Sequence, residues 1–279
     1  MSLAGFLTIT RPLNSSVAGL AAIVAYLIDT GELIPETTLL FIIVALITAA
    51  GNVINDFFDA RIDAINRPDR PIPSGSVSRD AALGFAMILF LTGIFVSLFT
   101  NALCFGLAII NSLLLIVYAA KLKSTPLLGN VAVAYLSASI FLFGGALSGW
   151  AGFIHIIPIA VITFFAIMSR ELLKDAEDTE GDMAEGADTV PIRIGIQKTA
   201  EIALIFSLSA VAASFIPYFW WGIWYLAGIM VVDVIIIFAA FRGLHCETSS
   251  CLKASRASTI LKAGMFASLV VFTLSAVFL

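Results

Sequence analysis

The chain has 279 residues, of which 60% are hydrophobic and 12% are charged, and its formal net charge is −4. Soluble domains contain about 45–50% apolar and about 25% charged residues, so this composition excludes an ordinary soluble protein. It also gives no reason to expect a nucleic-acid partner, which would require a concentration of positive charge.

Apolar stretches long enough to cross a membrane recur along the whole chain. A helix needs about 20 apolar residues to span the hydrocarbon core, and its backbone groups must be satisfied internally because lipid offers no hydrogen bonds. We predict an all-α polytopic membrane protein in which nine transmembrane helices form one bundle, with a single domain over residues 1–279. The predicted spans are approximately 13–30, 36–60, 79–100, 102–121, 126–148, 152–175, 198–217, 220–241 and 256–278.

The basic residues fall on one side of these spans. Lysines and arginines flank the loops after the second, fourth, sixth and eighth spans, whereas the opposite loops, near 31–35, 100–102, 149–152 and 217–222, contain neither. By the positive-inside rule, the basic side faces the cytoplasm. We therefore predict a multi-pass protein of the cell membrane whose polar site opens to the cytoplasmic side.

Acidic residues follow the second predicted span. Asp56, Asp59 and Asp63 have the spacing i, i+3, i+7, which places them on one face of a helix within about two turns. Three like charges this close repel one another. A hard divalent cation such as Mg²⁺ would relieve the repulsion, and it readily shares oxygen ligands with substrate phosphates. This face is a candidate metal site.

The linker over residues 64–78 contains three prolines and one glycine, which predict that the helix ends and a lid-like loop follows. Ser78 is the candidate N-cap of the third span. The linker is either an ordinary cytoplasmic turn or an anion-binding loop in which Arg67 and Arg70 hold phosphate oxygens. The closeness of both arginines to the aspartates favours the second interpretation.

Two lysines, Lys121 and Lys123, follow the fourth predicted span. Lysines at a helix end often extend to the membrane surface without a chemical role. These two lie on the same side of the membrane as the aspartates, where a second anionic group would need a partner. Both interpretations stay open.

The acidic pattern returns after the sixth predicted span. Asp175, Asp178 and Asp182 each lie 119 residues beyond one of the first three aspartates. This offset suggests that each half of the chain contributes an acidic helix and a lid-like loop. Glu177 and Glu180, which lie between these aspartates, are predicted to be solvated side chains of a charge-rich helix extension.

Glycines and a proline follow the second acidic pattern. Gly181, Gly186, Pro191 and Gly195 are predicted to break the helix and to form the second lid-like loop, near 181–197.

Other polar residues receive weaker assignments. The cysteines Cys104, Cys246 and Cys251 are odd in number and contain no Cys-x-x-Cys pair, so neither a disulfide framework nor a structural zinc site is indicated. Asp233 lies within the eighth predicted span. An acid at that depth is either a functional group or a hydrogen-bond partner of a neighbouring helix, and we assign it no role.

The paired acidic motifs resemble those of the UbiA-type intramembrane prenyltransferases. The resemblance rests on Asn55-Asp56-x-x-Asp59-x-x-x-Asp63 with the following Arg-Pro-Ile-Pro-Ser-Gly, and on Lys174-Asp175-x-x-Asp178-x-x-Gly181-Asp182. It covers essentially the whole chain, and it implies a bundle around a central cavity. It also implies Mg²⁺-dependent transfer of an isoprenoid chain from a prenyl diphosphate donor to an acceptor held in that cavity.

The resemblance also implies roles for individual residues. The implied metal ligands are Asn55, Asp56, Asp59, Asp63, Asp175, Asp178 and Asp182. Catalytic roles are expected for Asp59, Asp63, Asp178 and Asp182. Diphosphate or phosphate oxygens are expected to bind Arg67, Arg70, Lys121, Lys123, Arg170 and Lys174.

Within this family, the run from Asp63 to Gly75 most resembles members whose donor is geranylgeranyl diphosphate and whose acceptor is geranylgeranylglyceryl phosphate. The expected partners are thus a prenyl diphosphate, a lipid-like phosphate acceptor and membrane lipids. Chlorophyll synthases share much of this loop, so a chlorophyllide-like acceptor or a quinone precursor is an alternative.

Two further function classes are alternatives to a prenyltransferase. A cation-coupled transporter would distribute polar groups along a pathway across the membrane, whereas most ionisable residues of this chain crowd one face. A hydrolase of prenyl diphosphates with the same metal site stays open.

Overall fold

The computed structural model describes residues 2–184 and 186–279. Within them the regular elements are helices and no strand is present, which confirms the all-α prediction. In chain order the α-helices are α1 (Leu3–Ile9), α2 (Pro12–Thr30), α3 (Thr37–Asn66), α4 (Arg79–Ser97), α5 (Ala102–Ala120), α6 (Leu128–Leu147), α7 (Trp150–His155), α8 (Ile157–Ala184), α9 (Val190–Ile194), α10 (Ile196–Ser214), α11 (Tyr218–Leu244), α12 (Ser249–Ser255) and α13 (Ala257–Phe278). A 3₁₀ turn, Leu122–Ser124, follows α5.

The membrane-crossing helices follow the predicted spans. Eight segments of the described chain are long and apolar enough to cross a membrane, and each coincides with a predicted span. The remaining prediction, 152–175, corresponds to α8. That helix is long enough, but Arg170, Glu171 and Lys174 lie within its first 18 residues, so no wholly apolar window covers it. An apolar segment and a polar extension thus share one continuous helix.

The first compact unit comprises the described residues up to 121 together with 140–154. Helix α3 supplies much of its core, where Ile43 and Ile47 cluster with Phe90 of α4. Lipid provides little hydrophobic drive for helices to associate, so close packing of small residues is important. At Gly144 of α6, a Cβ atom would lie only 2.5 Å from backbone atoms of α2.

The second compact unit comprises residues 122–139 and the described residues from 155 onwards. Here α8 packs on α10, and the hydroxyl groups of Ser169 and Ser207 share a buried 2.8 Å hydrogen bond. Helix α11 approaches α8 closely at Gly243, where a Cβ atom would lie 3.0 Å from Cδ2 of Leu173. This contact fixes the part of α8 that precedes its acidic residues.

Asp233 is buried inside the second unit. Its Oδ2 accepts a 2.8 Å hydrogen bond from the Ser214 hydroxyl at the end of α10. The Tyr225 hydroxyl donates a 2.6 Å hydrogen bond to the carbonyl oxygen of Ser214. Asp233 therefore ties α11 to α10, which favours the helix-contact interpretation.

The first lid-like loop begins slightly later than predicted, because α3 continues to Asn66. Backbone hydrogen bonds then close the loop, from Ser74 N to Arg70 O at 2.9 Å and from Val77 N to Pro71 O at 3.0 Å. The Ser78 hydroxyl accepts a hydrogen bond from the first turn of α4, which confirms the predicted N-cap.

The prediction that Gly181 breaks its helix was wrong, because α8 continues to Ala184. A single interior glycine costs about 1 kcal/mol, which the hydrogen bonds of the surrounding turns offset. The chain departs from helical geometry at Gly186 and Gly195, whose φ angles are +70° and +88°. The short helix α9 lies between them.

The expectation of no disulfide was also wrong. Cys246 and Cys251 form a disulfide between α11 and α12, whereas Cys104 is a buried free thiol. An odd cysteine count does not exclude one local bridge, and the two Cα atoms are 5.3 Å apart, within the usual range for a disulfide.

Candidate active site

The first acidic cluster, Asp56, Asp59 and Asp63, lies near the C-terminal end of α3, as predicted. Its three side chains differ in their exposure to solvent. Asp56 and Asp63 are only 4% and 5% exposed, whereas Asp59 is partly accessible. Two buried carboxylates on one helix need counter-charges, because an unpaired buried charge is strongly unfavourable.

Two arginines supply these counter-charges. Arg70 Nη1 donates to Asp63 Oδ2 at 2.6 Å and to Asp56 Oδ1 at 3.3 Å. Arg11 Nη2 donates to the same Asp56 oxygen at 2.7 Å. The buried pair of carboxylates is therefore bridged by one guanidinium and capped by a second.

Asp59 is held differently, by an amide. Asn55 lies one turn earlier on α3, and its Nδ2 donates to Asp59 Oδ2 at 2.8 Å. This bond orients the carboxylate of Asp59, which is partly accessible to a ligand.

The two arginines predicted to bind phosphate occupy different environments. Arg70 is half-buried and engaged with the aspartates. Arg67 is exposed, and no residue of the described ranges 2–184 and 186–279 bonds its side chain. Its guanidinium is therefore available to an anionic ligand, while its backbone N–H closes the end of α3 on Asp63 O at 2.8 Å.

The sequence did not identify Arg11 as a site residue. Arg11 precedes Pro12 at the start of α2 and has a φ angle of +49°, a left-handed conformation that is uncommon for arginine. Its position 45 residues before its partner on α3 is a tertiary property.

The second acidic cluster, Asp175, Asp178 and Asp182, lies on the polar extension of α8. Asn130 Nδ2 of α6 donates to Asp175 Oδ2 at 2.7 Å. Asp178 is exposed and Asp182 is partly exposed. No lysine or arginine in the described part of the chain forms an ion pair with Asp175 or Asp178. Sequence reasoning did not predict the role of Asn130.

The predicted cationic residues near the second cluster vary in accessibility. Arg170 pairs with the adjacent Glu171, and its Nε is buried without a hydrogen-bond partner. Lys174 is exposed. Lys121, which ends α5, is also exposed, and Lys123 of the 3₁₀ turn is partly exposed. Their phosphate-binding roles stay predictions.

Glu180 is exposed, as expected of a solvated side chain, whereas Glu177 is only partly exposed. Both also accept hydrogen bonds from later helices, which the sequence did not predict. Glu177 Oε2 accepts a 2.9 Å hydrogen bond from the Ser258 hydroxyl of α13. Glu180 Oε1 accepts a 2.7 Å hydrogen bond from the Ser249 hydroxyl of α12. These glutamates anchor the acidic end of α8, because serines that lie about 70 to 80 residues further along the chain fold back onto them.

The oxygen ligands in both clusters are of the kind that Mg²⁺ prefers, namely carboxylate and amide groups. Across residues 2–184 and 186–279, no three Asp, Glu, His or Cys side chains already converge on one point to hold a metal. The first cluster belongs to the first compact unit and the second cluster to the second.

Comparisons with known proteins point to one family. The UbiA prenyltransferase family matches residues 17–270. The chain is 65% identical over 279 residues to the digeranylgeranylglyceryl phosphate synthase of Methanoregula boonei, with both chains covered completely. It is 56% identical over 278 residues to the enzyme of the same name from Methanoculleus marisnigri, covering 99% of this chain and 100% of that one.

A solved structure provides further support. A structure described as giving insight into digeranylgeranylglyceryl phosphate synthase in membranes is 36% identical, has a TM-score of 0.91 and covers 99% of each chain.

Proposed function

The chain belongs to the UbiA prenyltransferase family, and we propose on that premise that it makes digeranylgeranylglyceryl phosphate. It transfers a geranylgeranyl group from geranylgeranyl diphosphate to the hydroxyl of geranylgeranylglyceryl phosphate, a step of archaeal membrane ether-lipid synthesis. The observation that carries this proposal is the 65% identity, over the full length of both chains, to a synthase of that name.

The acidic clusters fit a Mg²⁺-diphosphate donor. The proposed ligands are Asn55, Asp56, Asp59 and Asp63 in the first unit and Asp175, Asp178 and Asp182 in the second. When bound, Mg²⁺ neutralises the charge that grows on the departing diphosphate. Asp178 is exposed and Asp59, Asp175 and Asp182 are partly exposed, so these four are more accessible to this ligand than the buried Asp56 and Asp63.

The arginines complement the acids. Arg67 presents several N–H donors in a planar fork and binds diphosphate oxygens directly. Arg11 and Arg70 form ion pairs with the buried carboxylates of Asp56 and Asp63. If these carboxylates held a divalent cation, both guanidiniums would be available to bind diphosphate oxygens, and the buried charges would still be compensated.

The transfer step breaks the bond between C1 of the geranylgeranyl chain and a diphosphate oxygen, and the diphosphate leaves with the electron pair. The acceptor hydroxyl oxygen forms the new bond to C1 and gives up its proton. The allylic cation that develops at C1 reacts readily with water, so apolar helices must exclude water from it. The basic residues on one side of the spans favour a site that opens to the cytoplasm.

The test supplies purified protein with labelled geranylgeranyl diphosphate, Mg²⁺ and three acceptors: geranylgeranylglyceryl phosphate, a quinone precursor and chlorophyllide. We expect transfer to the glyceryl phosphate and dependence on Mg²⁺. Transfer only to one of the other acceptors would overturn the proposal while leaving the family intact. Release of diphosphate without any transfer would indicate a hydrolase.

Two variants test the site assignment. Asp59→Asn and Asp178→Asn should each lower Mg²⁺-dependent turnover by about 100-fold, since each removes several kcal/mol of charge stabilisation. Asp69→Asn is the matched control, because Asp69 is an exposed carboxylate of the neighbouring loop. Normal turnover of either site variant would remove that aspartate from the metal site.

A further inference from the structure

The disulfide between Cys246 and Cys251 encloses a loop of four residues where α11 ends and α12 begins. Cys246 is 2% exposed, whereas Cys251 is partly accessible. Inside the loop, the Thr248 side chain accepts a 3.2 Å hydrogen bond from Cys251 N and so caps α12. The bridge and the cap therefore act on the same helix start.

This loop contacts the acidic extension of α8. Ser249, the first residue of α12, donates to Glu180 Oε1 at 2.7 Å. Glu180 lies between Asp178 and Asp182, within one turn of both. The start of α12 is thus hydrogen-bonded directly to the segment that carries the second acidic cluster, so a shift of one would move the other.

Packing strengthens the connection. Leu252 follows Cys251 and is completely buried. A Cβ atom at Gly243 of α11 would lie 3.0 Å from Leu173 of α8 and 3.6 Å from Leu252 of α12. Three helices meet at this point, and the disulfide joins the segment that follows α11 to α12.

Helix α12 has seven residues. Isolated helices shorter than about 12 residues are marginal in water, so its order depends on the bridge, the cap and the contacts with α8. A disulfide on the side predicted to be cytoplasmic also lies where thiol reductants are available, and bridges in such compartments are commonly transient or redox-sensing.

We propose that Cys246 and Cys251 form a redox-modifiable site that sets the order of α12 and, through Ser249 and Glu180, of the acidic end of α8. A dithiol reductant is the co-reactant. It gives up two electrons and two protons and becomes a disulfide, while the Cys246–Cys251 bond breaks and two thiols form. Glu180 and Ser249 are positioning residues in this scheme and do not touch the substrate.

The effect of reducing the disulfide on turnover depends on the proposed function, whereas its effect on the order of α8 does not. Reduction frees the start of α12, the Ser249–Glu180 hydrogen bond weakens, and the acidic end of α8 gains freedom. A metal that binds there must then pay the cost of ordering the helix.

The test compares the oxidised and the dithiothreitol-treated full chain by amide hydrogen exchange. In the oxidised chain without reductant, alkylation after denaturation should label one cysteine, and after reduction it should label three. Reduction should speed exchange in residues 176–184 and 249–255 and raise the half-activating Mg²⁺ concentration roughly fivefold, the effect of losing about one hydrogen bond. Three labelled cysteines without reductant, or unchanged exchange after reduction, would overturn the proposal.

Two variants complete the test. The double variant C246S/C251S should exchange like the reduced chain and no longer respond to dithiothreitol, whereas C104S should keep the response, because Cys104 belongs to the other unit. Ser249→Ala should loosen residues 176–184 with the disulfide intact, and failure to do so would exclude the Ser249 route. Redox-dependent exchange without any prenyl transfer would support the redox site and refute the proposed function.

Discussion

The contact between Arg70 and Asp63 gives a quantitative test of the first acidic cluster. Arg70 Nη1 lies 2.6 Å from Asp63 Oδ2, and the side chains are 20% and 7% exposed. Removing one partner of a buried ion pair costs about 3–5 kcal/mol, because the other charge stays buried. Asp56 keeps Arg11 as a partner, so Arg70→Met should cost about 3 kcal/mol, at the lower end of that range.

The reverse variant should be milder. In Asp63→Asn, the amide oxygen still accepts from Arg70, which also keeps its 3.3 Å contact with Asp56. The expected cost is about 1–2 kcal/mol. In the double variant both charges of this pair are removed, so neither is buried without a partner. The double variant should therefore lose about 2 kcal/mol less unfolding free energy than the two single variants added together.

The assay is the free energy of unfolding in mixed micelles, by denaturant titration without Mg²⁺, for the wild type, both single variants and the double variant. Arg67→Met is the matched control. Its side chain is exposed and unbonded within residues 2–184 and 186–279, so its cost should stay within about 0.5 kcal/mol. Additivity of the two single costs within about 0.5 kcal/mol would refute the Arg70–Asp63 contact.

Three further predictions follow from single contacts. Gly144→Ala should lower the free energy of unfolding by about 2 kcal/mol, because its Cβ would lie 2.5 Å from the backbone of α2. Gly106→Ala is the control and should not destabilise, because no atom lies near its Cβ position. Denaturant titration compares the two variants. The hydrogen bond from Arg193 lowers the pKa of Asp188 below 3.8. The contact therefore orders the loop above that pH and is lost as the pH falls through the lowered pKa. Amide exchange in the loop should become faster at that low pH, and Asp188→Asn should remove the pH dependence. Asn130→Ala should raise the half-activating Mg²⁺ concentration roughly fivefold, and an unchanged value would contradict a positioning role.

The transmembrane helices could be predicted from the sequence because lipid imposes one rule on every span. An apolar run of sufficient length must be helical, and the observed α5 (Ala102–Ala120) agrees closely with the predicted 102–121. Local signals also succeeded: Ser78 caps α4 through its own hydroxyl. Periodicity alone placed the aspartates on helices.

The partners of these aspartates could not be predicted, because they are set by tertiary packing. Spacing along α3 cannot distinguish the buried Asp56 and Asp63 from the accessible Asp59. That difference arises from Arg70, which folds back from the loop. In the same way, the hydrogen bond from Ser249 to Glu180 could not be predicted, because the two residues lie 69 positions apart in sequence.

The 119-residue offset extends beyond the aspartates. Arg11 and Asp56 are 45 residues apart, as are Asn130 and Asp175, so both hydrogen-bond donors share the 119-residue offset of the acids. Both donors lie just before or at the start of a span, 45 residues ahead of the first aspartate of their motif, and this shared spacing becomes visible only once the structure shows the two hydrogen bonds.

The two donors differ in charge, and this difference divides the roles of the two motifs. Residues 55–70 contain four acids and three arginines, and Arg11 adds a fourth positive charge, whereas residues 170–182 contain six acids and only two basic residues. An excess of negative charge favours a divalent cation, while guanidiniums favour diphosphate oxygens. We infer that the second motif contributes more to metal affinity and the first contributes more to holding the diphosphate. Arg11, where the second motif has Asn130, supplies one of the four charges by which the two motifs differ.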